Sequence, residues 1–192
     1  MRPEEALQIV LDQFEACGIR YMITGSFASN AHGVPRVTYD ADVVIETDQH
    51  SLNEFIERLG TDFYADSEAA SEAFAGIGMF NVIHMPTGFK IDVILRKDRP
   101  FSEQEFHRRQ EIPFLGKPRS FATPEDTILA KLEWSKMGES ERQFNDALNV
   151  AKVQSTDLDR AYLSKWAEEL GIVELLQRLF SELETWTDLA SV

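Results

Sequence analysis

The chain has 192 residues, 43% of them hydrophobic, and a formal net charge of −14. That length fits one domain, or one domain with a small helical appendage, and the apolar share is too high for a disordered chain. So acidic a surface repels phosphate backbones, which argues against general, sequence-independent nucleic-acid binding and leaves room for a local basic pocket.

Cys17 is the only cysteine, so an intrachain disulfide and a thiolate zinc cluster are both excluded. The N-terminal "MRPEEALQIV" carries acids where a signal peptide needs an apolar core. No run approaches the roughly 18 apolar residues of a membrane span. The expectation is a soluble cytoplasmic protein without membrane contact.

Leu7, Val10, Leu11 and Phe14 recur at helical spacing after Pro3-Glu4-Glu5, and Gly18 fits the stop of that helix. "IRYMIT" (19–24) reads as a strand, "SFASNAH" (26–32) as a short helix and "TYDADVVIE" (38–46) as a second strand. Residues 50–59 place Leu52, Phe55, Ile56 and Leu59 on one helical side. The stretch 61–75 is weakly patterned and is read as a strand or loop, then a short helix. "GMFNVIHM" and "FKIDVILR" flank Pro86-Thr87-Gly88 as a hairpin. A short helix over 102–110 and a smaller hairpin around Gly116-Lys117-Pro118 follow.

After residue 122 the texture changes. Thr123-Pro124-Glu125-Asp126 is a strong helix start, with a cap, a proline at the first position and acids in the first turn. Everything beyond reads helical, broken at Gly138, at 154–156 and at Gly171. The expectation is an α+β protein: an αβ domain over 1–122, then a C-terminal helical bundle over 123–192.

The unusual residues lie inside the strands. Asp40 and Asp42 are two apart, so they project to one face with Cα atoms roughly 6.5 to 7 Å apart. Like charges that close repel unless something positive stands between them. Magnesium answers this, because it prefers carboxylate and phosphate oxygens. Asp92, between Ile91 and Val93, is a third in-strand acid. If its strand neighbours 38–46, three carboxylates converge in the layout of a two-metal site. Each aspartate taken singly reads first as a strand end, solvated or capping a turn; it is the three together with Gly25-Ser26 that point to a site.

Gly25-Ser26 after a strand lets backbone approach a ligand, and a helix starting there aims free N–H groups at a phosphate. Arg36, four residues before Asp40, is placed either to clamp phosphate oxygens or to sit solvated in its loop. Lys90 shares a strand face with Asp92 and is read as neutralising it. His32 is read as a helix-ending histidine, with ligand contact as the alternative. Lys117 and Arg119 flank a hairpin tip and are read as solvated cations. Trp134, Trp166 and Trp186 are read as core or interface.

"GSFASNAHGVPRVTYDAD", with "FKIDVIL" and the later "PEDTILAKLEWSK", resembles the signature of the DNA polymerase β-type nucleotidyltransferases. The spacing of His32-Gly33, Pro35-Arg36 and Thr38 before the acid pair is similar to that of AbiEii-like, toxin-type bacterial members and their relatives. The resemblance spans about residues 5–150. It implies a short mixed β-sheet flanked by helices, followed by a helical domain. It implies Gly25 and Ser26 on the triphosphate of an NTP, and Asp40, Asp42 and Asp92 as ligands of Mg²⁺ or Mn²⁺, with Asp92 also able to act as base. It further implies Lys131 of "ILAKLE" in nucleotide binding and Asp146 of "RQFNDALNV" as a downstream acid.

The implied activity moves an NMP from an NTP to a hydroxyl of RNA, a protein or a small molecule, with release of pyrophosphate. A toxin–antitoxin setting would add a cognate partner protein. Two other readings stand beside it. One is a nucleotide-binding module without turnover. The other is an interaction protein whose C-terminal helices form a homodimer surface.

Overall fold

The computed structural model describes residues 1–76 and 78–190. In chain order the helices are α1 (Pro3–Ala16), α2 (Gly25–His32), α3 (Gln49–Arg58), α4 (Ser67–Gly76), α5 (Pro100–Arg108), α6 (Pro124–Gly138), α7 (Glu141–Gln154), α8 (Arg160–Leu170) and α9 (Val173–Ala190). The strands are β1 (Arg20–Thr24), β2 (Asp40–Glu46), β3 (Phe63–Ala65), β4 (Met79–His84), β5 (Phe89–Leu95), β6 (Gln110–Phe114) and β7 (Lys117–Phe121).

The strands form one mixed sheet of seven in the order β3-β4-β5-β2-β1-β7-β6. β2 runs parallel to β5 and antiparallel to β1, and β1 runs parallel to β7. A parallel neighbour requires a crossover, and the chain between β2 and β5 supplies it with α3, β3, α4 and β4. The α+β class, a mixed sheet with helices and then C-terminal helices, is the architecture observed.

By their contacts the residues group into two units. The first comprises Met1–Thr24 and Val37–Ala122 and holds the whole sheet with α1, α3, α4 and α5. Its helix α1 starts on Pro3, with the Glu5 carboxylate accepting from the Arg2 backbone N–H at 2.8 Å. Leu7, Val10, Leu11 and Phe14 then form a wholly buried stripe, each contributing roughly 1.5–3 kcal/mol by removal from water. The Phe14 ring lies 4.5 Å from Phe55 of α3 and 6.1 Å from Tyr21 of β1, centroid to centroid.

The hairpin β6–β7 is tied to this core by Arg119. Its side chain is fully buried and pairs with Glu15 at 2.6 Å and with Asp12. This corrects the expectation of a solvated cation at a hairpin tip: the acids of α1 face the strand, and their charge offsets the burial of the guanidinium. Lys117 meets the same Asp12 at 2.8 Å.

The second unit comprises Gly25–Arg36 and the chain from Thr123 onward. The sequence expectation puts all of 1–122 in one domain, whereas the segment of α2 groups by contacts with the late helices. Thr123 caps α6, its hydroxyl accepting from the Asp126 N–H. Trp166 is buried, while Trp134 and Trp186 are exposed.

Gly33 ends α2 where the backbone of α7 comes close: a Cβ there would meet Ser29 O and Val150 N at 2.9 Å each. Backbone on both sides cannot give way cheaply. Gly33→Ala is therefore expected to destabilise the protein by about 2 kcal/mol. Gly60→Ala, at a glycine with nothing within 4 Å of its added Cβ, should stay within about 0.5 kcal/mol. Urea melts of the two variants check the contrast.

Candidate functional site

The sheet register assembles the first group of residues. Asp42 of β2 is the partner of Asp92 on β5, and Asp40 is the partner of Lys90. Asp92 is in turn opposite Asn81 of β4, and Asp42 opposite Thr24 of β1. Paired residues share a face, so Thr24, Asp42, Asp92 and Asn81 form one polar row across four strands. Asp40 and Lys90 form the next row on that face.

Asp92 is nearly buried at 7% exposure, and both its oxygens are engaged. Asn81 Nδ2 donates to Oδ1, and Lys90 Nζ donates to Oδ2 at 2.8 Å. The Thr38 hydroxyl donates to Asp40 Oδ1 at 3.0 Å. The hydrogen bond to Asp92 raises the Lys90 ammonium above its ordinary value. Partial burial opposes this, and the charges of Asp92, Asp40 and Asp42 reinforce it. The ammonium thus feels all three carboxylates.

The second group lies in the other unit. Gly25 takes a φ of 59°, a left-handed conformation that glycine adopts readily, and the chain passes from strand into α2 without an intervening loop residue. Ser26 follows, buried. The Asn30 side chain brackets the Arg36 backbone, its Nδ2 donating to Arg36 O at 2.7 Å and its Oδ1 accepting from Arg36 N at 3.0 Å.

So held, the Arg36 guanidinium donates to Ser26 Oγ at 2.9 Å and to both oxygens of Asp146 at 2.9 and 2.7 Å. Lys131 Nζ reaches the same Asp146 at 3.0 Å and Gln143 Oε1 at 2.8 Å. Two cations thus share one buried carboxylate. Burial pushes the Asp146 carboxyl up. The hydrogen bond from Arg36 and the charge of Lys131 outweigh that and hold it below the usual carboxylate range. His32 is buried at the end of α2, where its carbonyl accepts from Gln154 Nε2 at 2.9 Å.

The sequence matches no protein-family model, and no curated protein matches it. Solved structures do. An antigenic nucleotidyltransferase-like protein from Paracoccidioides brasiliensis superposes with a TM-score of 0.64 at 17% identity, over 98% of this chain and 90% of that one. The chain has the nucleotidyltransferase fold. A second nucleotidyltransferase-fold match is ANT(2'')-Ia, solved in complex with adenylyl-2''-tobramycin, with a TM-score of 0.55, 14% identity and coverage of 93% of this chain and 97% of that chain. A third is the lincosamide antibiotic adenylyltransferase LnuA, lincomycin-bound, with a TM-score of 0.50 at 15% identity, covering 78% and 96%.

Within this nucleotidyltransferase fold, the sequence expectation names Asp40, Asp42, Asp92 and Lys90 in one unit and Gly25, Ser26, His32, Arg36, Lys131 and Asp146 in the other. Asn81 and Asn30 are absent from it. Asn81 was within reach: a hairpin closed by His84 and Phe89 pairs the fourth residue before the turn, Asn81, with the fourth after it, Asp92. Asn30 carries no such signal, because it acts on backbone six residues away.

The donor chemistry of the sheet face fits a hard divalent cation, since its acids offer carboxylate oxygens and already draw in an ammonium. Among the described residues, however, no three His, Cys, Asp or Glu side chains stand close enough together to hold a metal ion. Lys90 occupies one oxygen of Asp92. No described helix is long and apolar enough to cross a membrane.

Asp146→Asn leaves Arg36 and Lys131 facing each other across a neutral amide. The variant should lose about 3 kcal/mol at pH 7. Because the folded-state carboxyl is held low, its stabilisation is complete above about pH 4 and disappears as pH falls through the lower folded value. The gap between variant and wild type should therefore narrow below about pH 4 in urea melts. A gap as wide at pH 3 as at pH 7 would remove the ion pair as its cause.

Proposed function

We propose that the protein is a divalent-metal-dependent nucleotidyltransferase that moves an NMP from an NTP to a hydroxyl and releases pyrophosphate. The observation that carries this reading is the β2–β5 register, which sets Asp42 opposite Asp92 with Asp40 one row away on a nucleotidyltransferase fold. Asp40, Asp42 and Asp92 would offer carboxylate oxygens to Mg²⁺ or Mn²⁺, with the nucleotide's phosphates and water completing its ligands because the three acids alone do not enclose an ion; the metal, when bound, neutralises charge on the transferring phosphate.

The remaining chemistry belongs to the chain. Asp92 takes the proton of the acceptor hydroxyl as its oxygen attacks the α-phosphorus and the bond to the β-phosphate oxygen breaks. Gly25 and Ser26 offer backbone N–H groups at the start of α2 to the phosphates. Arg36 and Lys131 supply the positive charge there, and Asp146 fixes their direction.

The acceptor we favour is a small molecule bearing a hydroxyl. A net charge of −14 disfavours a large RNA, and two structures of the same fold are antibiotic adenylyltransferases with small molecules bound. A protein acceptor and a toxin–antitoxin role are the competing forms, supported by the likeness of the sequence signature to toxin-type members. They separate in culture, because a toxin expressed without its partner arrests growth and an enzyme acting on an absent small molecule does not. A nucleotide-binding module without turnover draws support from Lys90, which engages an acid the reaction needs.

The decisive assay incubates the protein with each α-labelled NTP, Mg²⁺ and pooled hydroxyl acceptors. Label should move to an acceptor with the wild type and fall about a hundredfold or more in Asp42→Asn, whose melting temperature should stay near that of the wild type. Undiminished transfer by that variant would sink the assignment of the acids.

A further inference from the structure

Lys90 lies where a cation is wanted. Register sets it opposite Asp40 and on the face shared by Asp42 and Asp92, and its Nζ is 2.8 Å from Asp92 Oδ2. With Asn81 on the other oxygen, any divalent ion approaching Asp92 must displace an ammonium and not merely water. The two ends of this pair differ in freedom: the Asp92 side chain is 10% exposed, the Lys90 side chain 42%. The acid is fixed and the base can swing away on its four-carbon stem. Arg119 in the same unit shows the other design, a guanidinium with a side chain 0% exposed, locked between Asp12 and Glu15.

We propose that Lys90 is a releasable counter-cation that keeps the acids of β2 and β5 from holding a divalent ion until a nucleotide triphosphate is present. The idea rests on the nucleotidyltransferase reading above. In the ligand-free protein, carboxylates sharing a face repel one another and attract cations. Lys90 relieves the repulsion and occupies the oxygen. A triphosphate offers the ammonium a new anionic partner and brings metal with it, so release of Lys90 and loading of the acids become one event. Lys90 is a positioning residue in this scheme and touches no reacting atom.

The test reads Mn²⁺ binding directly, by the electron paramagnetic resonance signal of the free ion, with and without an NTP analogue that cannot be cleaved between its α- and β-phosphates. Lys90→Gln keeps a hydrogen-bond donor for Asp92 and removes the charge, while Lys90→Arg keeps both. Without nucleotide, Lys90→Gln should bind Mn²⁺ about tenfold more tightly than the wild type, and Lys90→Arg should match the wild type. With the analogue, all three should agree within about twofold, because the ammonium has then left the acids. Equal or weaker nucleotide-free binding by Lys90→Gln overturns the proposal while leaving the nucleotidyltransferase reading intact. A wild type that binds no Mn²⁺ with any nucleotide overturns that reading itself, and this inference with it.

Discussion

Asp42 and Asp92 stand opposite each other on neighbouring parallel strands, and two carboxylates in that position repel. The rest of the sheet is arranged so that this contact can exist. Ala41, Val43, Ile91 and Val93 alternate with the acids and are wholly buried, so the strands are anchored by their other face. Asn81 and Lys90 satisfy Asp92 from within the sheet. Because β2 and β5 are parallel, the pairing also fixes their connection: α3, β3, α4 and β4 have to intervene before the chain returns. A one-residue slip would turn the acids into the apolar face, and the hydrophobic alternation guards against it.

The second unit solves the opposite electrostatic problem. There, two cations, Arg36 and Lys131, share the single carboxylate of Asp146. A lone ion pair at this depth would bring little net stabilisation after desolvation, but a shared carboxylate fixes the direction of both cations. Arg36 is held at both ends, its backbone by Asn30 and its guanidinium by Ser26 and Asp146. A guanidinium held in this way is already ordered, its planar fork fixed in one direction.

Most of this order could be read from the chain. The α1 stripe, the two hairpins, the cap at Thr123 and the in-strand acids all follow from local rules of period and turn chemistry. What escaped was long range. Arg119 looked solvated because a hairpin tip is usually exposed; its partners Asp12 and Glu15 lie more than a hundred residues earlier. The allegiance of the α2 segment was equally invisible, since nothing within 25–36 announces that Gly33 abuts the backbone of Val150. Lys131 was legible only by likeness: a lysine beside Ile128, Leu129 and Leu132 reads as a snorkelling side chain, whereas it is buried on Asp146. Periodicity assigns a face but does not name what lies against it.

A charge of −14 and a locally cationic cluster are compatible because they act over different distances. At physiological ionic strength exposed charges are screened beyond about 8 Å, so the acidic surface governs which large polyanions approach and scarcely touches the energetics inside a buried ion cluster. Within hydrogen-bond reach the balance is local: Arg36 and Lys131 outnumber Asp146, and the helix start at Gly25 adds its N–H groups. The same reasoning holds with the sign reversed on the sheet, where the acids outnumber Lys90. Each unit therefore keeps a local imbalance of its own sign, which the net charge of the surface does not set.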